Sequence, residues 1–179
     1  MCGIAGLMTF NGKPPAKSVL DAFASALAHR GPDGEGRHVV GNVGMVQRRL
    51  AIIDLETGDQ PLYDSAGTAL IANGEVYNYL ELREEFDQKV FKTRSDCEPP
   101  ILLYHRDGID FARNLRGMYS IALHDPAQEK LVLTRDPFGI KPLYYSETKE
   151  GFAFASEPQA FFAAGLLTPE IDDNRLDEL

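Results

Sequence analysis

The sequence predicts an α+β protein in which two antiparallel sheets pack face to face and helices cover their outer faces. Three observations predict it. Short strand patterns outnumber helical ones and are joined by tight turns bearing Gly, Asn and Asp. The helical segments are grouped rather than strictly interleaved with strands, which argues against a parallel sheet. The first helix has one apolar and one polar face, as a layer lying on a sheet requires.

Taken in order, residues 2–10 (CGIAGLMTF) read as a strand that Asn11-Gly12 and Pro14-Pro15 end. A helix follows. Ser18 with Asp21 has the form of a capping box, Val19, Phe23 and Leu27 recur at i, i+4 and i+8, and His29-Arg30 before Gly31-Pro32 supply a cationic last turn and a stop. Short strands are expected at 37–40, 43–49 and 68–73. A second helix starts at Asn78, with Glu81 in the capping position and Leu82 and Phe86 facing inward, and a third lies near 101–105. From Met118 the pattern is again of strands: Tyr119, Ile121 and Leu123 alternate with Ser120, Ala122 and His124, and 131–135, 143–146 and 152–155 follow. No repeat or linker divides the 179 residues, so a single domain over 1–179 is expected.

Composition narrows the function. Eighteen Lys and Arg against 27 Asp and Glu give a formal charge of -9, which repels nucleic acid and anionic membranes and favours a small diffusible partner. The apolar start ends by Phe10 with no basic residue before it, so neither a secretory signal nor a membrane span is expected. Cys2 and Cys97 are too few for a disulfide framework, the four histidines are scattered without metal-ligand spacing, and a cytoplasmic location is the expectation. The glycines of GPDGEG (31–36) lack the spacing and context of a dinucleotide fingerprint, and no phosphate-binding loop motif occurs.

The candidate chemistry starts at Cys2. If Met1 is removed, the thiol gains its own α-amine as a base, and such amines ordinarily titrate at about 7.7–8.0. Thiolate attack on an amide carbon gives a tetrahedral oxyanion and then a thioester that water hydrolyses. NGEVYN (73–78) follows the strand TALIA, and its Asn-Gly pair marks a turn. There the Asn73 amide and the Gly74 N–H can converge on one oxygen, as an oxyanion hole requires. RRLAIID (48–54) offers a guanidinium for a carboxylate, with spacing leaving Arg48 and Arg49 undistinguished. SDCE (95–98) has the capping-box form, but Pro99-Pro100 suggest a helix that starts later and leaves the Asp96 carboxylate available to an ammonium. Cys97 reads as a small buried hydrophobe.

Together these motifs resemble the class II glutamine amidotransferases, N-terminal-nucleophile hydrolases, and within them the glutaminase domain of the asparagine-synthetase type. The resemblance runs in order through MCGIAG, HRGPDGEG (29–36), RRLAIID, GDQPLY (58–63), NGEVYN, SDCE, RGMYSIALHD (116–125) and RDPFGIKPLYY (135–145), which is most of the chain. Departures from the family's usual pattern are Gln47 in place of a histidine, Val76 in place of Ile, and the Pro99-Pro100 pair.

The resemblance implies a four-layer α/β/β/α sandwich, with Cys2 as nucleophile after loss of Met1. It implies Arg49 on the glutamine α-carboxylate with main-chain contacts near Ile52, Asn73 and Gly74 as the oxyanion hole, and Glu75 and Asp96 on the α-ammonium. Glutamine is then the substrate, hydrolysed to glutamate and ammonia, and the expected partner is a synthetase domain, C-terminal or separate, that uses the ammonia. No cofactor or metal is expected for this domain; ATP and Mg are expected only in a synthetase domain that this chain lacks. A homodimer, a non-aspartate acceptor and a catalytically silent glutamine-binding or docking module stay open as alternatives.

Overall fold

A computed structural model describes residues 1–52, 54 and 56–170. Among these, two antiparallel sheets form the centre of the protein. One holds five strands in the order β2 (Gly34–Val40), β3 (Val43–Arg49), β1 (Gly3–Thr9), β9 (Gly151–Ala155), β8 (Tyr144–Glu147). The other holds four: β4 (Leu62–Tyr63), β5 (Ala69–Val76), β6 (Gly117–Asp125), β7 (Lys130–Arg135).

Helices α1 (Lys17–Ala26) and α4 (Gln159–Ala163) cover the five-stranded sheet. On the four-stranded sheet, α2 (Tyr79–Glu84) and α3 (Pro99–Asp107) do the same. The expected four layers are therefore present. No helix among the described residues is long and apolar enough to cross a membrane.

Three apolar layers separate the four structural ones, and strand alternation assigns the residues to them. Ala5, Leu7 and Val46 pack with Phe23, Leu27 and Phe161 beneath the outer helices. Leu70, Ala72, Tyr119, Ile121 and Leu123 pack with Leu82, Ile101 and Phe111 on the opposite side. Between the sheets lie Ile4, Val43, Met45, Ala69, Ile71, Ala122 and Phe154. The alternation read in β6 thus separates two buried faces, one for Tyr119, Ile121 and Leu123 under the helices and one for Ser120, Ala122 and His124 toward the other sheet.

Several local expectations are corrected. The Ser18–Asp21 capping box does not form, because α1 begins at Lys17 with Ala16 as its N-cap, and Asp21 takes Lys17 and Arg37 instead. His29 and Arg30 lie past the helix end and pair with Glu157. Glu81 binds Arg116 rather than capping α2, while the Asn78 amide clamps Asn114 and Arg116 main chain. The expected turn at Asn73-Gly74 is absent: β5 runs through both residues to Val76. Gly74 is required there because a Cβ would lie 2.1 Å from the Met118 carbonyl of β6, at a backbone φ of +154°. Both β4 and α4 were too short for a periodic signal.

At one edge the two sheets are joined by a buried histidine pair. His38 of β2 and His124 of β6 share a 2.8 Å hydrogen bond, and Tyr63 lies 3.3 Å from the other His38 nitrogen. Burial pushes the His38 pKa down to about 4, with the neighbouring His124 charge adding to it. Burial also lowers His124, opposed by Asp125. Because both folded-state values lie below the ordinary 6.5, the contribution is intact above pH 6.5 and lost as pH falls toward 4. Thermal melts between pH 7 and 4 are expected to show a loss of stability that is smaller in His38→Gln. An unchanged pH slope in that variant would exclude the pair as its source.

Candidate active site

The inter-sheet core turns polar at one end, and that change builds the site. On β1 the column Met8, Ile4 leads to Cys2; on β3, Val43 and Met45 lead to Gln47 and Arg49; on β5, Ala69 and Ile71 lead to Asn73 and Glu75. Residues two apart on a strand share a face, so each column delivers its polar members to the same space. A cavity lined by Cys2, Gln47, Arg49, Asn73, Gly74, Glu75 and Asp96 occupies it, with Ile52 exposed at its rim. Cys2, Arg49, Ile52, Asn73, Gly74, Glu75 and Asp96 therefore meet at one place, which Arg48 does not join.

Cys2 is held from two sides. Its Sγ accepts the Leu50 N–H at 3.3 Å and lies 3.6 Å from the Leu50 carbonyl, just past β3. Its own carbonyl accepts the Arg30 Nε–H at 2.9 Å, and Arg30 is anchored on Glu157 at 2.6 Å. Burial alone would raise Glu157; the Arg30 and His29 hydrogen bonds outweigh it and hold the carboxyl below its usual range.

Asn73 is 1% exposed, and its Nδ2 has no partner among the described residues. An unpaired buried donor costs about 1–3 kcal/mol, so its retention beside a cavity points to a bound acceptor. Arg49 lines the cavity, whereas Arg48 turns away to Gly31 and Glu35. The Arg49 guanidinium reaches outward to the Asp54 carbonyl and the Asp59 carboxylate, both at 2.6 Å. Since the Asp59 side chain is 85% exposed, a carboxylate arriving from solvent can replace it at little cost.

Asp96 is buried, which raises its pKa; the Val76 N–H, donating at 2.8 Å, opposes the shift, and Glu75 adds to it. A cation bound between Asp96 and Glu75 would reverse that shift. The proline pair does not displace this turn. Pro99 and Pro100 occupy the first two positions of α3, where no intrahelical donor is lost, so the later start expected for this helix is corrected. Glu98 binds the Lys92 and Thr93 main chain, and the Ser95 Oγ accepts the Cys97 N–H, so SDCE is a pinned turn rather than a capping box. Cys97 is buried as expected, and burial pushes its thiol well up.

Gln60 and Lys141 are among the cavity residues that the sequence did not single out. Gln60 accepts the Ala72 N–H at 2.6 Å and fixes the wall of β5. Lys141 lies against the Met1 Sδ at 3.6 Å. The loop that carries Lys141 is organised by Asp136, whose carboxylate accepts the N–H groups of Phe138, Ile140 and Lys141. RDPFGIKPLYY contained this Asp-centred loop, but nothing in its spacing connects position 141 with position 2.

A family model described as a glutamine amidotransferase domain matches residues 1–179. An asparagine synthetase (glutamine-hydrolysing) of Bacillus subtilis is 42% identical over 167 residues, 91% of this chain and 22% of that protein. Asparagine synthetase B of Escherichia coli is 38% identical over 89% of this chain and 30% of its own length. A Gibberella zeae protein named an amidase is 38% identical over 93% of this chain and 27% of its own length. The chain thus spans less than a third of each of these relatives.

Among solved structures, a glutamine phosphoribosylpyrophosphate amidotransferase from B. subtilis superposes with a TM-score of 0.73 at 21% identity. The match covers 92% of this chain and 44% of that one. At that identity the likeness establishes the double-sheet fold, and the family match over the full length establishes the kinship: the chain belongs to the class II, N-terminal-nucleophile, glutamine amidotransferases.

Proposed function

We propose that this chain hydrolyses glutamine to glutamate and ammonia through a γ-glutamyl thioester on Cys2. The observation that carries this reading is the unpartnered Asn73 amide in the same cavity as the Cys2 thiol. Met1 is 55% exposed, and its removal frees the Cys2 α-amine. The α-amine takes the Sγ proton and the thiolate attacks the γ-carbon. The Asn73 Nδ2–H and Gly74 N–H stabilise the oxyanion, and the ammonium returns its proton as ammonia leaves. Water, deprotonated by the same amine, then cleaves the thioester, giving glutamate and restoring the thiol. Arg49 holds the α-carboxylate, Glu75 and Asp96 the α-ammonium, and Ile52 closes the rim.

Ammonia is then passed to a synthetase unit, C-terminal or on another chain, that amidates aspartate using ATP and Mg2+. Relatives that are named asparagine synthetases support this acceptor. The relative named an amidase supports a second reading in which the site hydrolyses an amide other than glutamine.

The decisive experiment is intact mass before and after treatment with a glutamine analogue carrying an electrophile, with Cys2→Ala alongside. Loss of Met1 and a single adduct absent from Cys2→Ala is the expected result. Retained Met1 without an adduct would instead favour a silent glutamine-binding module.

A further inference from the structure

Gln47 is a cavity residue to which the proposed chemistry gives no task. It is 1% exposed, its Nε2 has no partner among the described residues, and it lines the cavity that holds Cys2. A buried amide N–H group without a partner is costly, and a ligand acceptor that completes its hydrogen bond removes the cost.

Its position indicates which group that is. Cys2 lies just outside the Gly3–Arg48 strand pair, whereas Gln47 faces Ile4, one step inward. Arg49, on the same face, sends its guanidinium the opposite way, out to Asp54 and Asp59. Along this column the order from the mouth is therefore Arg49 guanidinium, Cys2 thiol, Gln47 amide, and then the apolar Met45 and Val43. A glutamine whose α-carboxylate is at Arg49 and whose γ-carbon is at the thiol has only its carboxamide oxygen and nitrogen left to present inward. Asn73 takes the oxygen. The nitrogen is left facing Gln47.

We propose that Gln47 is a substrate-contacting specificity residue that reads the γ-carboxamide. Its Oε1 accepts an N–H of the amide, and its Nε2 donates to the carboxamide oxygen. This rests on the glutaminase reading above. A side-chain amide presents both an acceptor and a donor, so it matches a carboxamide edge to edge. An ester or carboxylate has no N–H to offer and would set oxygen lone pairs against the Oε1. Gln47 thus favours substrate over the product glutamate.

The test compares glutamine with the γ-methyl ester of glutamate, which keeps the reacting carbonyl but lacks the amide N–H groups. In processed protein, Gln47→Met is expected to lower kcat/KM for glutamine about tenfold more than for the ester. The accompanying rise in glutamine KM is expected to be absent with the ester. Gln47→Asn, which withdraws the amide by about 1.5 Å, is the second variant and is expected to show the same split. Equal losses on both substrates, or none, in a wild type that turns over glutamine would overturn this role alone. Absence of turnover of both substrates by the processed wild type would overturn the glutaminase reading and this inference together.

Discussion

Cys2→Ala in the processed protein is expected to reduce glutamine hydrolysis by about 10⁴-fold or more while glutamine still binds. The thiol is the only group in the proposed sequence that forms a bond to substrate, so no other residue can take over its step. Binding, in the proposed mechanism, rests instead on Arg49, Glu75 and Asp96, which approach the cavity from β3, β5 and the turn before α3. The fold should also tolerate the change, since the two Sγ hydrogen bonds among the described residues, both to Leu50 main chain at 3.3 and 3.6 Å, are weak ones to sulfur. Steady-state ammonia release and calorimetric glutamine binding check the two halves. Residual turnover above a few per cent would mean that another nucleophile operates.

Asn73→Ala is expected to lower kcat by about 10²–10³ with little change in KM. Its Nδ2 donates to nothing among the described residues, and in the proposed mechanism the interaction it supplies goes to the oxyanion of the transition state. The same orphaned atom makes a second expectation. Removing a buried donor that has no partner relieves a penalty, so the variant should melt at the same temperature as wild type or higher. A fall in kcat joined to a fall in melting temperature would instead show that Asn73 holds the strand. The neighbouring Gly74 allows no comparable test, because any side chain there strikes the Met118 carbonyl of β6.

The two residues differ in how visible they were beforehand. Cys2 is singled out by its motif MCGIAG together with the other motifs along the chain, which is a property of the sequence. Asn73-Gly74 read as a turn, because that dipeptide ordinarily marks one, and only the approach of β6 shows that a strand needs glycine at this point. Similarly, the proline pair before Ile101 suggested a delayed helix; the structure uses it as the first turn of α3. Local composition is ambiguous where the deciding contact comes from a distant segment.

Gln47 shows the same limit. Its strand, its face and its neighbours Met45 and Arg49 were legible in the alternation of β3, yet a buried amide is unremarkable until its partners are counted. Arg30 and Lys141 were legible only as a helix-ending cation and part of a motif. Each reaches residues 1–2 across more than a hundred positions or through a turn, by way of Glu157 or the Asp136 loop.

The sequence by itself determined the strand alternation, the α+β class and the residue types that the chemistry needs, because these follow from local periodicity and side-chain identity. The tertiary structure alone decided which strands share a sheet. It also decided that three apolar columns end together in polar residues around one cavity. The physical reason is that side-chain direction is set along each strand, whereas the meeting of strands is set by packing between segments far apart in the chain.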